Sequence, residues 1–336
     1  MLKEKELKLF NPKINCVPEF GHLFSLLDMN DFVTETWVVN NFMHFGCFED
    51  RSVTLKDQWT ILGNCPLLET TTFYNASSLE KGDALKEFII ESLQSEYYVI
   101  LNVNRTYIST AHGHTDYRAD HLILINGFDL NDNVFMVSDN SSTTGKYMRN
   151  RYNIDEVIKG YNNILVDDSH RPNIIKTRLV DHEIISKFSW RPQFQFDLDY
   201  FIIQLNLVIN TQGLSFFHGA CAYNLEAVSY EVDQLKLSPN DEISTRSYYM
   251  YFEHVSILCN HIEYLVKCLH LNKDSEIIAN FLKLKRRYET TLFLAIKYNI
   301  ARQRSVIEKV IHNLTICVEE ERTLITELIK EITVVK

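Results

Sequence analysis

Several familiar signatures are missing from this 336-residue chain, and each absence removes a class of function. No apolar run approaches the roughly 18–20 residues that a membrane helix needs, so no membrane span is expected. The opening, Met1-Leu2-Lys3-Glu4-Lys5-Glu6, is charged with no apolar segment behind it, which points to the cytoplasm. The seven cysteines are odd in number and lack paired spacing. A disulfide framework is therefore not expected, and free thiols in a reducing compartment are. Positive charge is scarce: 34 Lys and Arg stand against 44 Asp and Glu, for a net charge of −10. That argues against general nucleic-acid binding. No Gly-rich phosphate loop and no dinucleotide fingerprint is present. With 46% hydrophobic and 23% charged residues, the chain has the balance of a folded globular protein.

The most informative stretch runs from Ala119 to Asp139. Asp120-His121-Leu122-Ile123-Leu124-Ile125-Asn126-Gly127-Phe128-Asp129 and Val134-Phe135-Met136-Val137-Ser138-Asp139 read as two antiparallel strands. The turn between them, Asp129-Leu130-Asn131-Asp132-Asn133, is rich in turn residues. Pairing across such a hairpin can bring His121 and Asp139 side by side. A histidine held by an aspartate is half of a nucleophilic triad.

Cys16 is the candidate for the other half. Pro18 suits the first turn of a helix, and Phe20, Leu23, Phe24 and Leu27 then repeat at helical spacing. Cys16 thus falls at or just before a helix N-terminus, where free N–H groups and the dipole favour a thiolate and can line an oxyanion hole. The alternative is a cysteine acting only as a small buried hydrophobe. The order Cys, His, acid favours the thiol reading, because papain-like enzymes share it. The local papain signature is absent.

Metal sites are weaker candidates. His44 and Cys47 have no second ligand pair at suitable spacing. Thr110-Ala111-His112-Gly113-His114-Thr115-Asp116 resembles the start of a binuclear metal site, but position 117 is Tyr where that pattern has another histidine. A polar loop bordering the strand is expected there, and no metal. His254, His261 and His270 read as helix-face residues.

Elsewhere, residues 79–94 read as a helix starting near Ser78, and Tyr97–Val103 as a buried strand. Residues 153–161 read as a short helix capped by Asn153. Asp167–Asn173 is the expected linker. Three amphipathic helices follow: Tyr248, Phe252, Val255, Leu258, Ile262, Leu265 and Leu269 mark one stripe. Ile278, Phe281, Leu282, Tyr288 and Leu292 mark a second, and Val306, Val310, Leu314, Cys317, Leu324, Ile325 and Leu328 a third. The expected organisation is a catalytic domain over 1–170, a mixed connecting segment over 171–240 and a helical bundle over 241–336. Long amphipathic helices leave room for a homodimer.

The Asn15-Cys16 helix, the strand Asp120–Asp129, and the strand ending in Ser138-Asp139 with a short helix after it together resemble the butirosin-biosynthesis BtrH N-terminal family. That family is similar in fold to papain-like and C39-type cysteine peptidases. The resemblance covers about residues 10–165. It implies an α+β, papain-like fold in which an N-terminal helix carrying the cysteine packs on an antiparallel sheet carrying the histidine and the acid, with a mainly helical C-terminal domain. It also implies a cysteine-dependent acyltransferase of a specialised-metabolite pathway, such as antibiotic or nonribosomal-peptide biosynthesis. Such enzymes move an acyl group from the phosphopantetheine thioester of an acyl or peptidyl carrier protein to a small-molecule amine. By this matching Cys16 is the nucleophile, His121 the base and Asp139 the orienting acid, and no cofactor beyond the carrier's own phosphopantetheine is implied.

One departure matters: peptidases of the clan place a Gln shortly before the Cys, and this chain has none there. Asn11, Asn15 or the Cys16 backbone N–H are the remaining oxyanion candidates. An acidic carrier calls for a local basic face. Lys146, Arg149 and Arg151 offer one, and Lys283, Lys285, Arg286 and Arg287 another, although basic runs on a helix are usually solvated faces. Two other functions stay open: a cysteine peptidase or amide hydrolase with the same triad, and a non-catalytic binding partner.

Overall fold

The computed structural model describes residues 2–41, 44–56, 58, 60–73, 83–111, 120–140, 147–164, 174–187, 191–211, 214–215 and 219–334. Contacts gather the chain into two compact units, Met1–Met29 with Asp57–Phe188, and Asn30–Lys56 with Ser189–Lys336. The fold is α+β, with two antiparallel sheets and a mainly helical C-terminal region. The expected boundary at residue 170 falls inside the first unit, because Ile174–Leu179 is a strand of its sheet. Residues 30–56 join the C-terminal unit instead of the first.

Numbered along the chain, the strands of the first unit are β1 (Glu4–Glu6), β4 (Leu68–Phe73), β5 (Tyr98–Asn104), β6 (Asp120–Asp129), β7 (Val134–Asp139), β8 (Met148–Asn153) and β9 (Ile174–Leu179). Their order is β4-β9-β5-β6-β7-β8, every pairing is antiparallel, and β1 pairs with β6 beyond the end of β5. The hairpin turn forms because the Asp129 carboxylate accepts the backbone N–H groups of Asn131 and Asp132, at 2.9 and 3.3 Å. Asn133 then adopts a positive φ of 55°, which a short polar side chain tolerates. A register shift between Ile125 and Gly127 frees Asn126 to exchange hydrogen bonds with Leu7: Leu7 N donates to Asn126 O at 2.7 Å, and Asn126 Nδ2 donates back to Leu7 O at 2.9 Å.

Helix α1 (Pro18–Leu26) starts with Pro18 in its first turn and packs on β6 and β7. Phe20, Leu23, Phe24 and Leu27 are all fully buried. Each contributes on the order of 1.5–3 kcal/mol of apolar burial, so this short helix is held by packing. Helices α4 (Ala84–Gln94) and α5 (Ile154–Tyr161) pack on β5. Asn153 caps α5 as expected, its side chain accepting from Asp155 N and Glu156 N at 2.9 and 3.2 Å. Residues 78–79 and the linker at 167–173 lie outside the described residues.

The second unit has a small sheet in the order β10-β2-β3, from β2 (Phe45–Cys47), β3 (Val53–Leu55) and β10 (Ala222–Tyr223). Its helices are α2 (Phe32–Asn41), α7 (Leu198–Ile209), α8 (Asn224–Leu237), α9 (Thr245–Lys267), α10 (Glu276–Ala301) and α11 (Arg304–Val334), of which α8 and α9 pack on the sheet. Every residue of the third sequence stripe is buried on α11. Four stripe residues are not core: Phe252 and Ile278 are half-buried, Leu269, 82% exposed, lies past the end of α9 at a positive φ of 59°, and Leu282 is exposed on α10. Among the described residues, no helix is long and apolar enough to cross a membrane.

Candidate functional site

Cys16 stands one residue before Val17, the N-cap of α1. Val17 is extended and gives no side-chain cap, and Pro18 has no N–H. The positive end of α1 is therefore directed toward the segment that carries Cys16. Cys16 is half-buried, and Glu19 in the first turn accepts from the Gln58 amide at 3.2 Å.

His121 enters the sheet one residue after the start of β6, paired with Val103 of β5. Asp139 closes β7 and is fully buried. The register sets Ser138 opposite Leu124, so one further step brings Asp139 level with Ile123. By strand alternation His121, Ile123 and Asp139 share one face of the sheet. Continued past Leu124–Ser138, this register makes His121 and Asp139 diagonal neighbours on that face, offset by two residues.

Two residues of β8 hold the Asp139 carboxylate. Asn150 Nδ2 donates to it at 3.0 Å, and the Tyr152 hydroxyl lies 3.2 and 3.1 Å from its two oxygens. Tyr152 is opposite Phe135 and Asn150 opposite Val137, so both fall on the face of Asp139. The buried carboxylate is therefore met by neutral donors from the neighbouring strand.

Two further contacts tie these elements together. Asn140, the residue after Asp139, donates from Nδ2 to the backbone carbonyl of Asn15 at 2.6 Å, next to Cys16. His22 of α1 reaches Leu122 O, next to His121, at 3.2 Å, and the Tyr147 hydroxyl at 2.8 Å. The segment before α1 is also fixed: Phe10 N donates to Ser25 O at 2.8 Å, and Arg149 donates to Leu9 O at 2.9 Å. Cys16, His121 and Asp139 are thereby all attached to one end of the sheet, within the first unit. Asn140, His22, Tyr147, Asn150 and Tyr152 were not singled out from the sequence. Tyr147 and Tyr152 lie among the basic residues Lys146, Arg149 and Arg151, whereas the His22 signal is hidden within the apolar periodicity of α1.

The other sequence candidates separate clearly. Asn15 contributes its backbone carbonyl to the Asn140 contact, and Asn11 is exposed. Arg149 is engaged with Leu9, and Arg151 with Asp129 and Asp132 at 3.1 and 2.8 Å. Lys146 and the loop His112–Asp116 lie outside the described residues. On α10, Arg287 forms a two-bond contact with Glu320, both at 3.0 Å, and Lys285 stands over the Phe252 ring. Lys283 and Arg286 are exposed there.

His44 uses both ring nitrogens inside the second unit, Nε2 toward Gln204 Oε1 at 2.7 Å and Nδ1 toward Asn224 Nδ2 at 3.1 Å. Among the described residues, no group of three or more His, Cys, Asp or Glu side chains is placed to hold a metal ion. Comparison with protein-family models gives no match, and a search of curated proteins gives none.

Proposed function

We propose that this protein is a cysteine-dependent acyltransferase with a papain-like catalytic unit, in which Cys16 is acylated by a carrier-protein thioester and passes the acyl group to an amine. The observation that supports this most is the hydrogen bond from Asn140 Nδ2 to Asn15 O, which joins the residue after Asp139 to the residue before Cys16. A sheet face carrying His121 and Asp139, and a cysteine at a helix start, are the parts this chemistry requires.

In the proposed cycle, the Cys16 thiolate attacks the thioester carbonyl. The carbon–sulfur bond to the carrier breaks, and the phosphopantetheine thiol leaves with a proton from His121. The amine then attacks acyl-Cys16, His121 takes the amine proton, and the amide departs as the Cys16 thiolate is restored. Asp139, held by Tyr152 and Asn150, fixes the imidazole tautomer and supports its charge.

The test is intact-mass analysis after mixing the full chain with an acylated carrier protein. A mass increase equal to the acyl group, mapped to Cys16 and lost in Cys16→Ala, is expected. Addition of an amine should discharge the adduct as an amide. Discharge to free acid in the presence of amine would favour the hydrolase, and absence of any Cys16 adduct would overturn the thiol mechanism.

A further inference from the structure

His22 is a fully buried histidine on the helix that follows Cys16, and the catalytic cycle above leaves it without a role. Its bonding fixes its chemistry. Leu122 O is a carbonyl and only accepts, so the 3.2 Å contact requires a proton on Nε2. Nδ1 is then bare and accepts from the Tyr147 hydroxyl at 2.8 Å. Burial, reinforced by the neighbouring His121, pushes the His22 pKa down to about 3. The ring therefore stays neutral in this one tautomer. The charged and titratable groups around the pair are His121 beside His22, and Asp139 and Arg149 beside Tyr147.

Where these bonds end is more telling than that they exist. Leu122 is the residue after His121. Tyr147 immediately precedes Met148, which pairs with Asp139. His22 itself lies in the first helical turns after Cys16. One neutral imidazole thus joins the segments that carry Cys16 and His121 to the start of β8, the strand paired with the one that carries Asp139. Gly21 makes room for this: a Cβ there would lie 2.5 Å from two Tyr147 ring carbons, so any larger side chain would push the ring off the helix.

We infer that the His22–Tyr147 pair is a positioning element that sets α1 against β6 and the β7–β8 edge, and so sets the Cys16 sulfur relative to the His121 ring. The inference rests on the thiol mechanism proposed above. Because His22 is neutral, it does this without adding a positive charge beside His121 as that ring takes up a proton in the cycle. An amide can replace it: Gln offers an N–H to Leu122 O and a carbonyl to the Tyr147 hydroxyl, whereas Leu of similar bulk offers neither.

The test is the pH dependence of Cys16 alkylation by iodoacetamide in the full chain, read by peptide mass, with the exposed Cys221 as internal reference. In His22→Leu and in Tyr147→Phe, the midpoint of the Cys16 profile is expected to rise by about one pH unit, and the rate below the midpoint to fall about tenfold. His22→Gln should stay within about twofold of the unchanged protein, and the Cys221 profile should not move. A purely structural role would lower thermal stability in these variants and leave the Cys16 profile in place. If His22→Leu does not fold, Tyr147→Phe, which removes one oxygen only, decides. A folded Leu or Phe variant whose Cys16 profile superimposes on the unchanged protein overturns the positioning role alone. An unchanged protein in which Cys16 and Cys221 share one profile overturns the thiol mechanism, and this inference with it.

Discussion

The Tyr152 hydroxyl reaches back along the sheet to both oxygens of Asp139, at 3.2 and 3.1 Å, from a position whose strand partner is Phe135. A buried hydroxyl thereby holds a buried carboxylate whose direction matters for the His121 ring. Tyr152→Phe removes this donor and keeps the Asn150 contact. The expected cost is about 1–3 kcal/mol in urea unfolding, because a buried acceptor loses a partner. Acyl transfer should fall about tenfold through loss of orientation. A Tyr152→Phe protein with unchanged stability and rate would show that Asp139 is held by other groups.

Acid stability should follow the buried histidines. His22 and His261 are pushed down to about 3, in each case mainly by burial and then by a neighbouring histidine, and burial takes His44 to about 4. In the unfolded chain each returns to about 6.5. Between these values the unfolded state binds a proton that the folded state refuses, so stability is full above pH 6.5 and is lost as the pH falls. Each contributes a slope of up to about 1.4 kcal/mol per pH unit. Between pH 7 and 5, ordinary carboxylates stay ionised, so a falling melting temperature in that window reports the histidines. His22→Gln should flatten the slope; an equal slope in this variant would mean His22 is not neutral in the folded state.

Gly21→Ala sets two effects against each other. Alanine favours a helix by up to about 1 kcal/mol over glycine. At this position its Cβ would stand 2.5 Å from the Tyr147 ring, which is overlap, and relieving it costs about 1–3 kcal/mol. Net destabilisation is expected, with the hydroxyl displaced from His22 and a loss of transfer rate like that of Tyr147→Phe. A rise in melting temperature would show that the ring moves aside at no cost.

Local chemistry was legible in the sequence and distant pairing was not. The β6–β7 hairpin, the Asn153 cap and the α11 stripe each follow from residues close together in the chain. Strand β9 lies between β4 and β5, an order that no local pattern encodes. Strand β1 is three alternating charged residues, Glu4-Lys5-Glu6, joined to β6 through its backbone, so it has no apolar signature. At the candidate site the same division holds. Cys16, His121 and Asp139 were picked out by residue type and order. The two-residue offset between His121 and Asp139, and the parts played by His22, Asn140 and Tyr152, depend on strand register and on contacts across the sheet. Leu269 shows how far periodicity reaches: it continues the α9 stripe in sequence, but His270 N already closes on Leu265 O at 2.9 Å, which ends the helix before it.

The second unit has its own decisive pair. Arg51, at a positive φ of 66°, binds Glu231 of α8 through Nε at 2.8 Å and Nη2 at 2.7 Å, and the Tyr248 hydroxyl adds a third contact at 3.3 Å. The Glu231 side chain is only 2% exposed, so its charge depends on Arg51 for compensation. Arg51→Met would strand that charge and should destabilise the unit by about 3–5 kcal/mol, read as loss of the helical far-ultraviolet signal at lower urea. Glu231→Met in the same chain removes the stranded charge as well as its partner. The double variant is therefore expected to recover at least half of the loss, since breaking a buried pair costs more than replacing it. If the double variant is as unstable as Arg51→Met, the damage comes from the Arg51 turn, whose carbonyl accepts from Ser247 at 3.0 Å, and the ion pair is not what holds α8 to that turn.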